Sequence, residues 1–266
     1  MARLNNDFTF TGRIGRLTAY KMRGVKQVVV RSIGGPTAEQ IKNLPQFKPT
    51  RAINAEWKGV VMSRKALRLS IMPVNHLRDY NYASILNRIT GNIMKAGRND
   101  DSGSRPVLFS QFRHLVEGFD LNENNLLHSV VSSQIRGTIN RETLSATIEL
   151  PEIIPGINLR NYQKLPYYRF VFNMGTIADY AWDDSIQDYM PLEKANGIRN
   201  KIATEWLQSN KKSPAAILEL PSLHFEPIGD HTSIIIAGGI EFGMPMADGS
   251  IEFVPRSGSG KILVLG

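Results

Sequence analysis

The chain has no cysteine among its 266 residues. That excludes disulfides, thiolate metal ligands and cysteine nucleophiles together. Long apolar runs are also missing. The longest lies near residues 234–240 and contains two glycines, far short of the roughly 20 residues that a membrane helix needs. The opening Met-Ala-Arg-Leu-Asn-Asn-Asp carries neither the apolar stretch nor the small-residue cleavage site of a secretory signal. These absences lead us to expect a cytoplasmic protein without a membrane partner, although export without a leader would leave no trace at this level.

Catalytic signatures are equally scarce. The five histidines (His76, His114, His128, His224, His231) are scattered, with no His-x-x-x-His pair for zinc and no Gly-x-Ser-x-Gly elbow. Ser257-Gly258-Ser259-Gly260-Lys261 resembles a phosphate loop, but Pro255 stands where the first glycine belongs and Ile262 follows the lysine. Too few residues remain after it for the helix whose amides would hold phosphate, so a turn before a terminal strand is the better reading. The segment from Asp120 to Asn125 opens like a calcium loop. Asn125 replaces the sharp-turn glycine, however, and Val131 replaces the bidentate glutamate. No catalytic residue, metal or cofactor is assigned on these grounds, and a non-enzyme is expected.

What the chain does have is lopsided charge. Residues 1–70 contain fourteen Lys/Arg against three acids, whereas residues 71–266 carry eighteen bases and twenty-one acids. A cationic segment of this kind must meet something negative or tolerate its own repulsion. Leu17 to Met22 and Lys26 to Arg31 flank Arg23-Gly24-Val25, a hairpin turn in which glycine supplies positive φ, while Gly12 to Gly15 breaks an earlier strand at residues 8–10. Thr37 followed by Gln40 forms a capping box for a short helix to Asn43. Helical spacing of Ile53, Trp57, Val60, Val61 and Leu67 predicts a helix over residues 51–69, and Asn75 and Gly97 bracket another.

Beyond residue 115 the pattern turns to strands. Leu144, Ala146, Ile148 and Leu150 alternate with polar neighbours, and so do Tyr168, Phe170, Phe172 and Met174. Further strands are expected at residues 216–225, 232–242 and 261–265, with an Asp248-Gly249 turn. A helix is expected over residues 192–209 from Ile198, Ile202, Trp206 and Leu207. The fold class is therefore α+β: a basic N-terminal β-hairpin arm (residues 1–35), a helical segment (36–115) and an antiparallel β-sheet or sandwich domain (116–266).

Two charged clusters are candidate contact sites. Arg13, Arg16, Tyr20, Lys21, Arg23, Lys26 and Arg31 form the basic arm. Asp179, Asp183, Asp184 and Asp188, with Tyr180, Trp182 and Tyr189, form an acidic counter-patch. Oxygen ligands there also suit a hard cation. The plain alternative for either cluster is a solvated face.

The pattern Gly12-x-x-Gly15-x-Leu17-x-x-Tyr20-Lys21-x-x-Gly24, then Val28-Val29-Val30-Arg31, Gly34-Gly35-Pro36 and Arg51-x-x-Asn54-x-Glu56, resembles one found in small uncharacterised proteins of the Bacteroidota. The resemblance covers about the first 60 residues and implies no activity and no catalytic residue.

The expectation is a structural or assembly protein whose basic arm reaches copies of itself, forming a homo-oligomer or filament. A nucleic-acid partner held by the same arm is the alternative. A metal-dependent enzyme at residues 179–188 is the third reading.

Overall fold

The structure, a computed structural model, describes residues 2–3, 10–97, 102–223 and 228–266. The strand expected at residues 8–10 falls mostly outside them, as does His224. The chain divides into two compact units, Met1–Arg51 and Ala52–Gly266.

The first unit holds a four-stranded antiparallel sheet built from β1 (Ala2–Arg3), β2 (Gly12–Ile14), β3 (Leu17–Lys21) and β4 (Val28–Ser32), in the order β1-β4-β3-β2. The β3–β4 hairpin forms where it was expected, with Gly24 at φ +81° in its turn. Gly12 to Ile14 does not end a strand. It pairs with β3, because Gly15 at φ +57° reverses the chain into a second hairpin. Helix α1 (Ala38–Asn43) follows, closed by the full capping box: the Thr37 hydroxyl accepts from the Gln40 amide, and the Gln40 side chain accepts from the Thr37 amide. The Arg51 guanidinium donates to the carbonyls of Ile41 and Leu44 and so satisfies the carboxyl end of this short helix.

Helix α2 (Lys48–Ser70) begins across the division between the units, and α3 (Ala83–Ala96) ends at Gly97 as the spacing predicts. Asn75 does not cap α3. It sits in a 3₁₀ turn over Met72–Leu77, where its side-chain Oδ1 accepts from the Tyr82 hydroxyl, and the Asn81 side chain instead accepts from the Ala83 amide at the helix start. The four-residue α4 (Leu127–Val130) precedes the β region.

Strands follow in chain order: β5 (Arg136–Asn140), β6 (Ser145–Leu150), β7 (Tyr167–Ala178), β8 (Tyr180–Asp183), β9 (Asp188–Pro191), β10 (Arg199–Ala203), β11 (Leu207–Gln208), β12 (Ala216–Leu220), β13 (Thr232–Pro245), β14 (Ile251–Phe253) and β15 (Ser259–Leu265). The Asp248-Gly249 turn lies between β13 and β14. A central antiparallel sheet runs β10-β7-β13-β14, with β11 on β7 and β15 on β13. A three-stranded sheet, β12-β6-β5, packs against one of its faces. Ala146, Ile148, Leu150 and Leu220 of the small sheet share a core with Tyr168, Phe170, Phe172, Met174, Ile234 and Ile236. The opposite face offers Val171, Ile177, Ile235, Ala237 and Ile262 to Leu67, Leu77, Leu86 and Ile93 of the helical layer. The fold is α+β and mostly β.

Being covered on both sides explains why β7 and β13 read as near-continuous apolar runs. Close approach makes one glycine obligatory. A Cβ on Gly175 would lie 2.4 Å from the Ser70 carbonyl oxygen. The same carbonyl accepts from Asn173 Nδ2 at 2.9 Å, and Ser70 Oγ donates to the Thr176 carbonyl at 2.8 Å. The end of α2 is thereby pinned to β7.

The helix expected over residues 192–209 is absent. Ile198, Ile202 and Trp206 recur every four residues, which also places them on one face of an extended chain. Asn196-Gly197 turns the backbone at φ +79°, and β10 then pairs with β7 from Arg199↔Gly175 to Ala203↔Val171. Sheet pairing and burial of Ile198 and Ile202 against the core override helix propensity here.

Candidate functional site

The basic arm is part of the first unit's sheet, and register decides which cations meet. Arg13, Thr18 and Arg31 lie directly opposite one another across β2, β3 and β4. They therefore project from one face, with the outer two about 9–10 Å apart at the backbone, two inter-strand spacings. Tyr20, opposite Val29, follows on the same face, and the Arg31 guanidinium sits 5.6 Å from its ring centroid. The Arg13 Nε donates to the Gly15 carbonyl. Lys21, opposite Val28, belongs to the other face. Arg16 stands at the β2–β3 turn, and Arg23 and Lys26 lie in the β3–β4 connection. All six cations are exposed. Ile14 and Leu17 are exposed as well, and both lie on the face opposite Arg13 and Arg31.

The division into units sharpens the charge asymmetry. Residues 1–51 contain ten Lys/Arg and two acids, whereas residues 52–266 contain twenty-two of each. The net charge of +8 thus belongs wholly to the first unit, and the second is neutral.

The acidic cluster divides. Asp179 is not part of an outward patch. Its side chain is 1% exposed, its carboxylate accepts from Ser110 N (3.0 Å) and Ser110 Oγ (2.6 Å), and His231 Nδ1 lies 3.3 Å away. It follows the buried stretch of residues 170–178, and its oxygens satisfy the polar hydrogens of Ser110. Asp183 and Asp188 are brought together: they face each other across the β8–β9 hairpin. Trp182 and Tyr189, one step inward, turn to the core with ring centroids 5.5 Å apart, and the Tyr189 hydroxyl donates to the Arg105 carbonyl. Alternation then sends Asp183, Asp188 and Met190 outward.

Like charges directly opposite in a hairpin are destabilising, and the surroundings show how this pair is tolerated. Lys58 of α2 reaches Asp188 at 2.5 Å, and its hydrogen bond is the main cause holding that carboxyl below the ordinary range; the Tyr189 amide adds to it. The Ser185 hydroxyl and then its amide lower the Asp183 carboxyl in the same way. Asp184 accepts from the Trp182 indole. Both partners of Asp183 and Asp184 are local and uncharged, so two carboxylates at the hairpin tip remain without a countercharge among the described residues. Exposed Ile186 lies in the same tip, whereas exposed Met190, opposite Ala181, and Leu192, whose amide donates to the Asp179 carbonyl, lie toward the base of the hairpin.

Sequence reasoning missed Lys58, whose position on a periodic helix gave no sign of its partner 130 residues away. It also missed a buried charge cluster at the end of the central sheet. Glu241, opposite Arg169 in the β7–β13 register, is bridged by Arg169 Nε and His76 Nε2, each at 2.5 Å. Burial pushes the Glu241 carboxyl up, but the hydrogen bonds from His76 and Arg169 outweigh it and hold it below the usual carboxylate range. Arg169 lies 4.4 Å over Trp206. A single acid inside the apolar run of β13 was the available signal.

Residues that resembled ligand loops have structural employment. Asn122 is buried, donating to the Leu77 carbonyl and accepting from the Gly260 amide. Ser259 opens β15 rather than a helix. Among the described residues no group of three or more His, Asp or Glu is placed to hold a metal ion, and no helix is long and apolar enough to cross a membrane. Comparison with known protein families, with curated proteins and with solved structures gives no match, so every assignment of role rests on this chain's own residues.

Proposed function

We propose that this chain is a non-enzymatic assembly protein. Its first unit docks on the β8–β9 hairpin of a neighbouring copy, which makes the contact head-to-tail and able to close a ring or extend a filament. The observation that carries this reading is complementarity of charge. All of the net positive charge sits in a separately compact unit, and the hairpin tip presents Asp183 and Asp184, whose hydrogen-bond partners are uncharged. Opposed charges would set the register and speed encounter. The short edge strand β2 offers backbone groups to a partner strand as well.

A charge-reversal pair tests this. Arg13→Glu with Arg31→Glu should leave the chain monomeric, and so should Asp183→Arg with Asp184→Arg. Mixing the two variants should restore association, because each then meets an opposite charge. Failure of the mixture to associate, where the wild type does, refutes the docking pair.

A second reading has its own support. The row Arg13–Thr18–Arg31 beside Tyr20 is suited to phosphates with an adjacent ring for a base. Nucleic acid that co-purifies with the wild type, is released by salt and is absent from the Arg13→Glu/Arg31→Glu variant would favour it.

A further inference from the structure

A cavity of about 810 Å³ opens beside the buried Glu241 cluster, where the 3₁₀ turn after α2, the segment following it and the loop before β15 meet. Arg68, Arg78 and Arg256 line it together with His76 and Tyr80. Asp79 is its one acidic lining residue, and both of that carboxylate's oxygens already accept backbone amides, from Glu123 and Asn124. Among the described residues no carboxylate forms an ion pair with Arg68, Arg78 or Arg256. Three arginines that form no ion pair among the described residues therefore line one concavity with a single carboxylate, and the Arg78 guanidinium lies 5.9 Å from the Tyr82 ring centroid.

The wall is built rather than incidental. Glu241 is 1% exposed and ties His76 to the central sheet, which fixes the turn that presents Arg78. Arg256 is held at φ +60°, a conformation that favours glycine. Ser257 keeps the loop in place by donating from its hydroxyl and its amide to the Val254 carbonyl. A non-glycine residue in such a conformation is retained against a local cost, and such outliers gather at ligand-binding positions. Glycine would fit the backbone better here, but it would remove the guanidinium.

We propose that this cavity binds a small phosphorylated molecule, with Arg68, Arg78 and Arg256 gripping its phosphate oxygens. Planar guanidinium forks match phosphate geometry, three of them suit a multivalent oxyanion rather than a single carboxylate, and the volume falls in the range of small-molecule sites. The site is distinct from the basic arm and does not depend on it.

The test uses the full chain with pyrophosphate, AMP and a short single-stranded oligonucleotide as probes, read by calorimetry and thermal melting. Pyrophosphate or AMP should bind saturably and raise the Tm. Arg256→Gly should weaken that binding about tenfold, while raising the ligand-free Tm by about 2–4 °C through relief of the left-handed backbone. These opposite directions separate loss of a ligand contact from loss of fold. Arg13→Glu/Arg31→Glu should leave the affinity unchanged. No saturable binding of pyrophosphate or AMP at millimolar concentration, binding of the oligonucleotide alone, or unchanged affinity in Arg256→Gly would overturn the proposal.

Discussion

Replacing Glu241 with glutamine removes one charge while keeping the shape of the side chain. The native carboxylate accepts from Arg169 and His76, at 2.5 Å each, and its own side chain is 2% exposed. A hydrogen bond to a charged group contributes roughly 1.5–3 kcal/mol against roughly 0.5–1.5 for a neutral one. Two such exchanges lose about 2–3 kcal/mol. Arg169 and His76 are about 30% exposed and can be partly rehydrated, which points to the lower end, about 2 kcal/mol. For a unit of this size that is about 4–8 °C in Tm at neutral pH. The pH dependence has a definite sign. The folded carboxyl is held below its ordinary value of 4.5, so its contribution is fully present above that pH and is lost as pH falls through the folded value. Melting of wild type and Glu241→Gln across pH 3–8 should therefore give a gap that is widest at neutral pH and closes in acid. Equal melting temperatures at pH 7, or a gap that widens on acidification, would refute the reasoning.

Other outcomes follow from the packing. Gly175→Ala places a methyl 2.4 Å from the Ser70 carbonyl and should cost about 1–3 kcal/mol in urea unfolding. Phe172→Ala, at a fully buried position between the two sheets, should cost about 3–5 kcal/mol. Lys58→Met leaves Asp188 without its cation opposite Asp183. It should lower the Tm at neutral pH, and adding Asp188→Asn should recover part of the loss. Thr37→Ala removes the capping hydroxyl of α1 and should cost about 1 kcal/mol, seen as faster amide exchange at Ile41.

What could be read from the sequence was local. The Thr37–Gln40 box, the hairpin around Gly24 and the alternation in β6 each depend on residues within a few positions of one another, and each formed as expected; α2 formed as well, but Ile53 and Trp57 of its expected apolar face are exposed while Glu56, Gly59 and Ser63 are buried. The misreadings arose where distant chain segments decide. Residues 198–206 satisfy both helix and strand periodicity, and only β7, which precedes them in the chain and presents a free edge, selects the strand. Asp179 looked like its acidic neighbours, yet Ser110, 69 residues away, draws it inward. The Glu241 cluster joins residues separated by 72 and 165 positions, and no local pattern records such a meeting. Of the candidate sites, the sequence supplied the charges. Register supplied the arrangement: Arg13 beside Arg31, and Asp183 opposite Asp188.

The most direct test of the account is the particle mass of nuclease-treated protein, measured by light scattering across a range of concentration and salt together with its 260/280 nm absorbance. Concentration-dependent multiples of the single-chain mass, with a protein-only absorbance ratio and loss of association in the Arg13→Glu/Arg31→Glu variant, are what the account predicts. A single-chain mass at every concentration and at low salt would contradict it.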